Sequence, residues 1–202
     1  MTIWREKDLL ILASQSRARQ TLLANAGIPF KAVPADIDER ALQTNSGLSS
    51  PGEIAGLLAR EKAQFVSSKN PGRYVVGADQ TLALGSRLLS KPAGRAQAAD
   101  QLRLLAGHTH ELHSAVAVAH NGKIGFCDVS VARMTMRRLS DSEIENYLDQ
   151  AGEAVTTSVG AYQLEGLGVH LFERIEGDHF TILGLPLLPL LAFLRGEGLL
   201  NV

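Results

Sequence analysis

The sequence predicts an α/β protein folded as a single domain over residues 1–202, and three stretches carry that reading. A buried strand, Asp8 to Ala13, turns at Ser14-Gln15-Ser16 into a helical pattern. A second apolar strand, Tyr74-Val75-Val76, leads through Gly77 and Ala78 into a hairpin. Residues 108–119 and 123–136 alternate as long antiparallel strands joined at Asn121-Gly122, a dipeptide suited to a tight hairpin turn.

Composition narrows the function classes. A chain of 202 residues suffices for one domain of ordinary size or two small lobes on a shared core. Lys plus Arg number 20 against 21 Asp plus Glu, so no basic excess marks a nucleic-acid face. Cys127 alone excludes an internal disulfide and a cysteine-rich zinc site, and reads as a small apolar strand residue. The amino terminus lacks the form of a signal peptide. Thr181 to Leu194, the most apolar run, is broken by Gly184, Pro186 and Pro189, and falls short of the roughly 20 residues needed to cross a bilayer. A soluble, cytoplasmic protein is expected, with no membrane or nucleic-acid partner.

In chain order, the first helix has Leu22, Leu23 and Ala26 as its stripe, Ser16 as N-cap and Gly27 as stop. Its first turn leaves backbone N–H groups for an anion. Arg17 and Arg19 there oppose the helix dipole, and read either as ligand-serving or as solvated. Phe30 to Val33 is a short strand. Residues 34–50 read as irregular and polar; Asp36, Asp38 and Glu39 could gather a hard cation but lack the spacing of a calcium loop. Ser50-Pro51 opens a helix to about Ser68, with Ile54, Leu57, Leu58 and Phe65 as buried positions and Lys62 on the polar face.

The stretch from Arg73 to Pro92 places a carboxylate, Asp79, at the carboxyl end of a strand, where ligands bind in open α/β sheets. The hairpin arms Thr81–Leu84 and Arg87–Leu89 then lead to Lys91. Asp79 could activate a water or hold a divalent cation, and Lys91 could neutralise a phosphate. Taken alone, the stretch is more simply a surface hairpin with solvated charges.

A helix follows over residues 94–105. His108 and His110 share a strand face without a third metal ligand nearby, which favours a satisfied or solvated pair. Ser140 and Glu143 form a capping box for a helix to about Gln150. In Ser158 to Gly168, Gly166-Leu167-Gly168 lacks the third glycine of a dinucleotide fingerprint; the glycines read as room for a flat ligand, with Gln163 or Glu165 on its polar edge. Glu173 to Leu185 reads as strand-rich. The closing helix from Pro186 or Pro189 reads as core, with a homodimer interface as the lesser alternative.

Taken together, LILASQSRARQTLL, ADIDER, AREKA, VVGADQTLALGSRLLSKP, LAGHTHELHSAVAV, SVGAYQLEGLG and ERIEGDHFTILGLPL resemble, in order and through nearly the whole chain, the Maf family of nucleoside triphosphate pyrophosphatases. The resemblance implies a long twisted mixed sheet flanked by helices, as in inosine triphosphate pyrophosphatases, with two lobes and a central cleft. It implies attack of water on the α-phosphorus of a nucleoside triphosphate, giving the monophosphate and pyrophosphate. Asp79 falls at the family's proton acceptor, and Ser14, Arg19, Glu39, Lys62 and Lys91 at other cleft positions. A magnesium or manganese ion would bridge phosphates and acids, with Glu39 and Asp79 as its ligands.

The family's Ser-x-Ser-Pro-Arg-Arg stands here as Ser14-Gln15-Ser16-Arg17-Ala18-Arg19. Position 18 is one of three that separate the family's substrate classes, with Gln80 and Glu165 at the others. The branch acting on dTTP and UTP carries Arg, Thr and Gln there. Gln80 and Glu165 resemble the branch acting on 7-methyl-GTP, whereas Ala18 matches neither. A non-catalytic nucleotide-binding regulator of cell division is one rival, although such a binder needs no water-activating carboxylate. A phosphomonoesterase is another, separated by its product.

Overall fold

Seven strands form one sheet in the computed structural model, which describes residues 3–202. They are β1 (Leu10–Leu12), β2 (Phe30–Ala32), β3 (Tyr74–Leu84), β4 (Arg87–Leu89), β5 (Thr109–His120), β6 (Lys123–Met136) and β7 (Phe172–Glu176). The helices are α1 (Arg17–Asn25), α2 (Glu39–Ser46), α3 (Pro51–Ser68), α4 (Arg95–Leu105), α5 (Asp141–Ala151), α6 (His179–Ile182) and α7 (Leu187–Gly196). The strand order is β2-β1-β3-β5-β6-β7, with β4 on β3. β1 runs parallel to both β2 and β3, while β4 on β3 and β7 on β6 are antiparallel, so the sheet is mixed. The expected α/β class is therefore what the strands show.

The chain divides into two compact units. One holds the described residues up to Gln80 with Ser114–Ser130 and Asp178–Val202; the other holds Thr81–His113 and Val131–Gly177. In the first, Leu10, Leu12, Val76, Val116 and Val118 form a core with Leu22 and Leu23 of α1 and Leu187, Leu190 and Leu194 of α7. That packing matches the core reading of the closing helix. α3 lies on the sheet through Ala55, Ala59 and Ala63 against Ala115, Ala117 and Ala119. Gly77 makes the approach tighter: a Cβ there would fall inside van der Waals contact of the Ala59 carbonyl and 2.6 Å from the Ala63 nitrogen.

In the second unit α4 packs against α5, whose Ser140–Glu143 capping box is formed as expected. His110 is fully buried and its Nε2 lies 2.7 Å from the Tyr162 hydroxyl, whereas His108 is exposed, so the two share no ligand position. Gly160 and Gly168 are packed closely against the protein's own atoms. A Cβ at Gly160 would stand 2.6 Å from Leu82 Cδ1, and one at Gly168 would meet the backbone of Gln163.

Four other expectations need correction. Residues 34–50 contain α2, which starts where the Asp38 carboxylate caps Ala41 N at 2.9 Å and stops at Gly47 in the left-handed region. α2 buries no residue, so it lacks the apolar stripe that would reveal it. Residues 173–185 are strand only to Glu176, because the Asp178 side chain then caps α6. β3 is unbroken across eleven residues, so Asp79 lies within it and beyond the end of its partner β1. Lys62 is buried, on the face of α3 turned to the sheet, whereas Leu57 and Phe65 are only half-buried.

Candidate active site

The close seating of α3 on β3 builds the site. Asp79 is two residues beyond Gly77 and so projects from the same face of the strand. Lys62 lies beside Ala63, on the helix surface that Gly77 admits. The Lys62 ammonium reaches Asp79 Oδ1 at 2.7 Å and Glu39 Oε1 at 2.8 Å. The Lys62 and Asp79 side chains are only 10% and 11% exposed, but that of Glu39 is 50% exposed. Glu39 therefore opens the cluster to solvent. It is placed by the first turn of α2, the helix the sequence reading omitted.

Arg19 completes the cluster from α1. Its Nε donates to the Gly184 carbonyl at 2.8 Å, and its Nη1 donates to the Ala78 carbonyl at 2.8 Å and to Ser14 Oγ at 3.3 Å. Ser14 Oγ also accepts from the backbone N–H of Ser16 at 3.2 Å, which shapes the entry to α1. The unfavourable position of Arg19 at a helix start is thus offset by carbonyls from distant segments. Arg17, by contrast, is exposed.

The electrostatics follow from this packing. Burial pushes the Asp79 carboxyl above the usual carboxylate range; Lys62 and then Arg19 pull it back, and Glu39 adds to the rise. Burial lowers the Arg19 guanidinium from its ordinary value, against the attraction of Asp79 and Glu39. Its side chain keeps some exposed surface while its charged end is enclosed, and a group of such high intrinsic pKa stays protonated at neutral pH. Among the described residues no three His, Cys, Asp or Glu side chains gather as a metal cage. Glu39 and Asp79 converge on one cation, the Lys62 ammonium, and are the pair that a magnesium-type ion, which takes one or two carboxylates and keeps several waters, would use.

Next to Asp79, Gln80 Nε2 donates to Ser114 Oγ at 2.9 Å, Thr181 O at 3.2 Å and Ile182 O at 3.0 Å. Ser14, Arg19, Glu39, Lys62, Asp79 and Gln80 are thus brought together in the first unit. Ala18, half-buried in the first turn of α1, adds no polar group. Lys91 and Glu165 belong to the second unit and are exposed, whereas Asp79 belongs to the first. Sequence reasoning missed Ser114, Thr181, Gly77 and Gly184. A hydroxyl in the otherwise apolar run Ser114–Ala119 was the available signal, since a buried polar group needs partners.

Comparison with known proteins agrees with the sequence motifs. Residues 9–197 match the family model described as Maf-like protein. A nucleoside triphosphate pyrophosphatase of Bradyrhizobium diazoefficiens is 72% identical over 202 residues, covering 100% of both chains. A 7-methyl-GTP pyrophosphatase of Brucella abortus is 51% identical over 191 residues, covering 93% of this chain and 96% of that one. A solved HAM1 protein from Coxiella burnetii is 19% identical with a TM-score of 0.44, covering 65% of this chain and 75% of that one. With the family model spanning almost the whole chain, this protein is a member of the Maf-like family.

Proposed function

We propose that this chain hydrolyses a nucleoside triphosphate to the monophosphate and pyrophosphate, by attack of water on the α-phosphorus. The observation that carries the reading is a buried carboxylate with a raised pKa held against an ammonium and near a guanidinium. A base works best when its pKa lies near the operating pH, and burial moves Asp79 in that direction. Asp79 takes the proton of the attacking water as its oxygen bonds to phosphorus. The bond from the α-phosphorus to the bridging oxygen breaks, and pyrophosphate leaves. Lys62 and Arg19, with Lys91 as a further cation, offset the phosphate charge, and Ser14 shapes the turn before α1. Glu39 and Asp79 would hold a magnesium or manganese ion, which supplies further neutralisation of phosphate oxygens when bound.

For the base, the reading leans to 7-methyl-GTP. Glu165 is a carboxylate that can accept from guanine N–H groups or face a cationic methylated ring. Gln80, and the 51% identical relative named for that substrate, point the same way. Ala18 leaves dTTP or UTP as the alternative. No helix among the described residues is long and apolar enough to cross a membrane, and a cytoplasmic enzyme fits that composition.

The test is product analysis over 7-methyl-GTP, GTP, dTTP and UTP with magnesium or manganese. Pyrophosphate and monophosphate, with 7-methyl-GTP turned over fastest, are expected. A faster dTTP or UTP reaction discards the base assignment alone, free phosphate as first product indicates a phosphomonoesterase, and stoichiometric binding without turnover indicates a regulator.

A further inference from the structure

We propose that Ser114 and Gln80 are positioning residues that clasp the turn at residues 181–184 to β3, so that the last carbonyl of that turn fixes Arg19 beside Asp79. The proposal rests on the reading of Arg19 as a phosphate-binding cation, and the clasp itself is visible without it.

The bonds fix the direction of the network. Ser114 Oγ donates its one hydrogen to Thr181 O at 2.6 Å, so it accepts from Gln80 Nε2 at 2.9 Å. Gln80 Nε2 also reaches the carbonyls of Thr181 and Ile182, and a flipped amide would set its oxygen against both. The Gln80 amide therefore has one orientation. The carbonyls it holds, Thr181 O and Ile182 O, are the last two of α6, whose first turn is closed by the Asp178 carboxylate accepting from Thr181 N and Thr181 Oγ1, both at 3.0 Å. Gly184 N donates back to Thr181 O at 3.0 Å and closes the turn.

Gly184 then delivers the effect to the site. It sits at φ +85°, and its carbonyl accepts Arg19 Nε at 2.8 Å. A Cβ at that position would stand 3.3 Å from Arg19 Nη2 and 3.4 Å from Nε, so the absence of a side chain lets the guanidinium lie against the turn. Arg19 also holds the Ala78 carbonyl, and Gln80 follows Asp79 in the strand. The turn is thus bound to β3 on both sides of Asp79. Ser114 and Thr181 are 0% and 1% exposed, so water cannot replace a bond lost here.

A double-variant cycle between Ser114→Ala and Arg19→Gln tests the proposal, read by steady-state kinetics with the preferred nucleotide and by thermal melting. Ser114→Ala should raise KM roughly three- to tenfold with kcat within about twofold, because it loosens a binding cation. In the Arg19→Gln background the same change should raise KM no further. Independent, multiplying KM effects, or a fall in active protein with KM unchanged, would overturn the proposal. If the parent turns over no nucleotide, the proposed function fails separately and melting still decides the clasp: Tm losses that couple support it, and additive losses refute it. Gly184→Ala, acting from the other end of the turn, should show the same KM pattern if Ser114→Ala does not fold.

Discussion

An ammonium 2.7 Å from Asp79 and 2.8 Å from Glu39 has two partners of unequal depth, and that asymmetry decides what its loss would do. Glu39 reaches water and can solvate itself. Asp79 cannot. Lys62→Met should therefore cost roughly 2–4 kcal/mol near neutral pH, because it leaves a buried carboxylate with less compensation. The penalty should shrink as pH falls, since Asp79 can then escape by binding a proton. Urea unfolding at two pH values checks this, and an equal penalty at both would show that Lys62 contributes packing alone. At this scale the resemblance implies a site role for Lys62 and Asp79, whereas periodicity places Lys62 on the polar face of α3 although it is buried. An ionisable residue among Ala59, Ala63 and Val66 scores as polar, and only the matching carboxylate on another element reveals why it is buried.

Helix α3 can carry Lys62 to Asp79 because both contacting surfaces are small. Three alanines on the helix, three on β5 and a glycine on β3 let the backbones come close. Gly77→Ala would press a methyl group into the Ala59 carbonyl, which is backbone and cannot rotate away. The expected cost is about 3 kcal/mol, at the upper end of ordinary overpacking. The displaced helix should also draw Lys62 off Asp79, so activity per folded molecule should fall with stability. Chemical denaturation and turnover on the same samples test both, and unchanged stability would mean the helix is seated less closely than described. The long periodic elements were readable, since α3, α4, β5, β6 and the Ser140 capping box carry strong local signals. The short helix α2 was not, although Asp38, Glu39 and Gly47 spell its caps, because no buried stripe joins them. Its omission hid the placement of Glu39.

Across the whole molecule, the pH dependence of stability follows from where the titratable groups sit. Burial lowers His110 from 6.5 to about 4, so it stays neutral in the fold while the unfolded chain takes up a proton. Its contribution is complete above about 6.5 and is lost as pH falls toward 4, by up to roughly 3 kcal/mol. Asp79 acts in the opposite sense, because a raised carboxyl pKa favours the fold on acidification. Glu143, held down to about 2 by Ser140 and Arg137, loses its contribution only at lower pH. Between pH 6.5 and 5 the loss thus belongs chiefly to His110. His110→Gln should flatten that part of the curve in denaturant unfolding, and an unchanged slope would reject the assignment. The fold class and family were legible from ordered motifs, whereas the clasp around Thr181 was not, because its bonds use carbonyls that no sequence pattern marks. The central claim, that Asp79 is the base for attack on the α-phosphorus, is tested most directly by turnover of Asp79→Asn beside the parent in 18O-labelled water. The account predicts label in the monophosphate and none in pyrophosphate for the parent, with rate lost by roughly a hundredfold or more in a folded variant. Near-parental turnover in Asp79→Asn, or label in pyrophosphate, would contradict it.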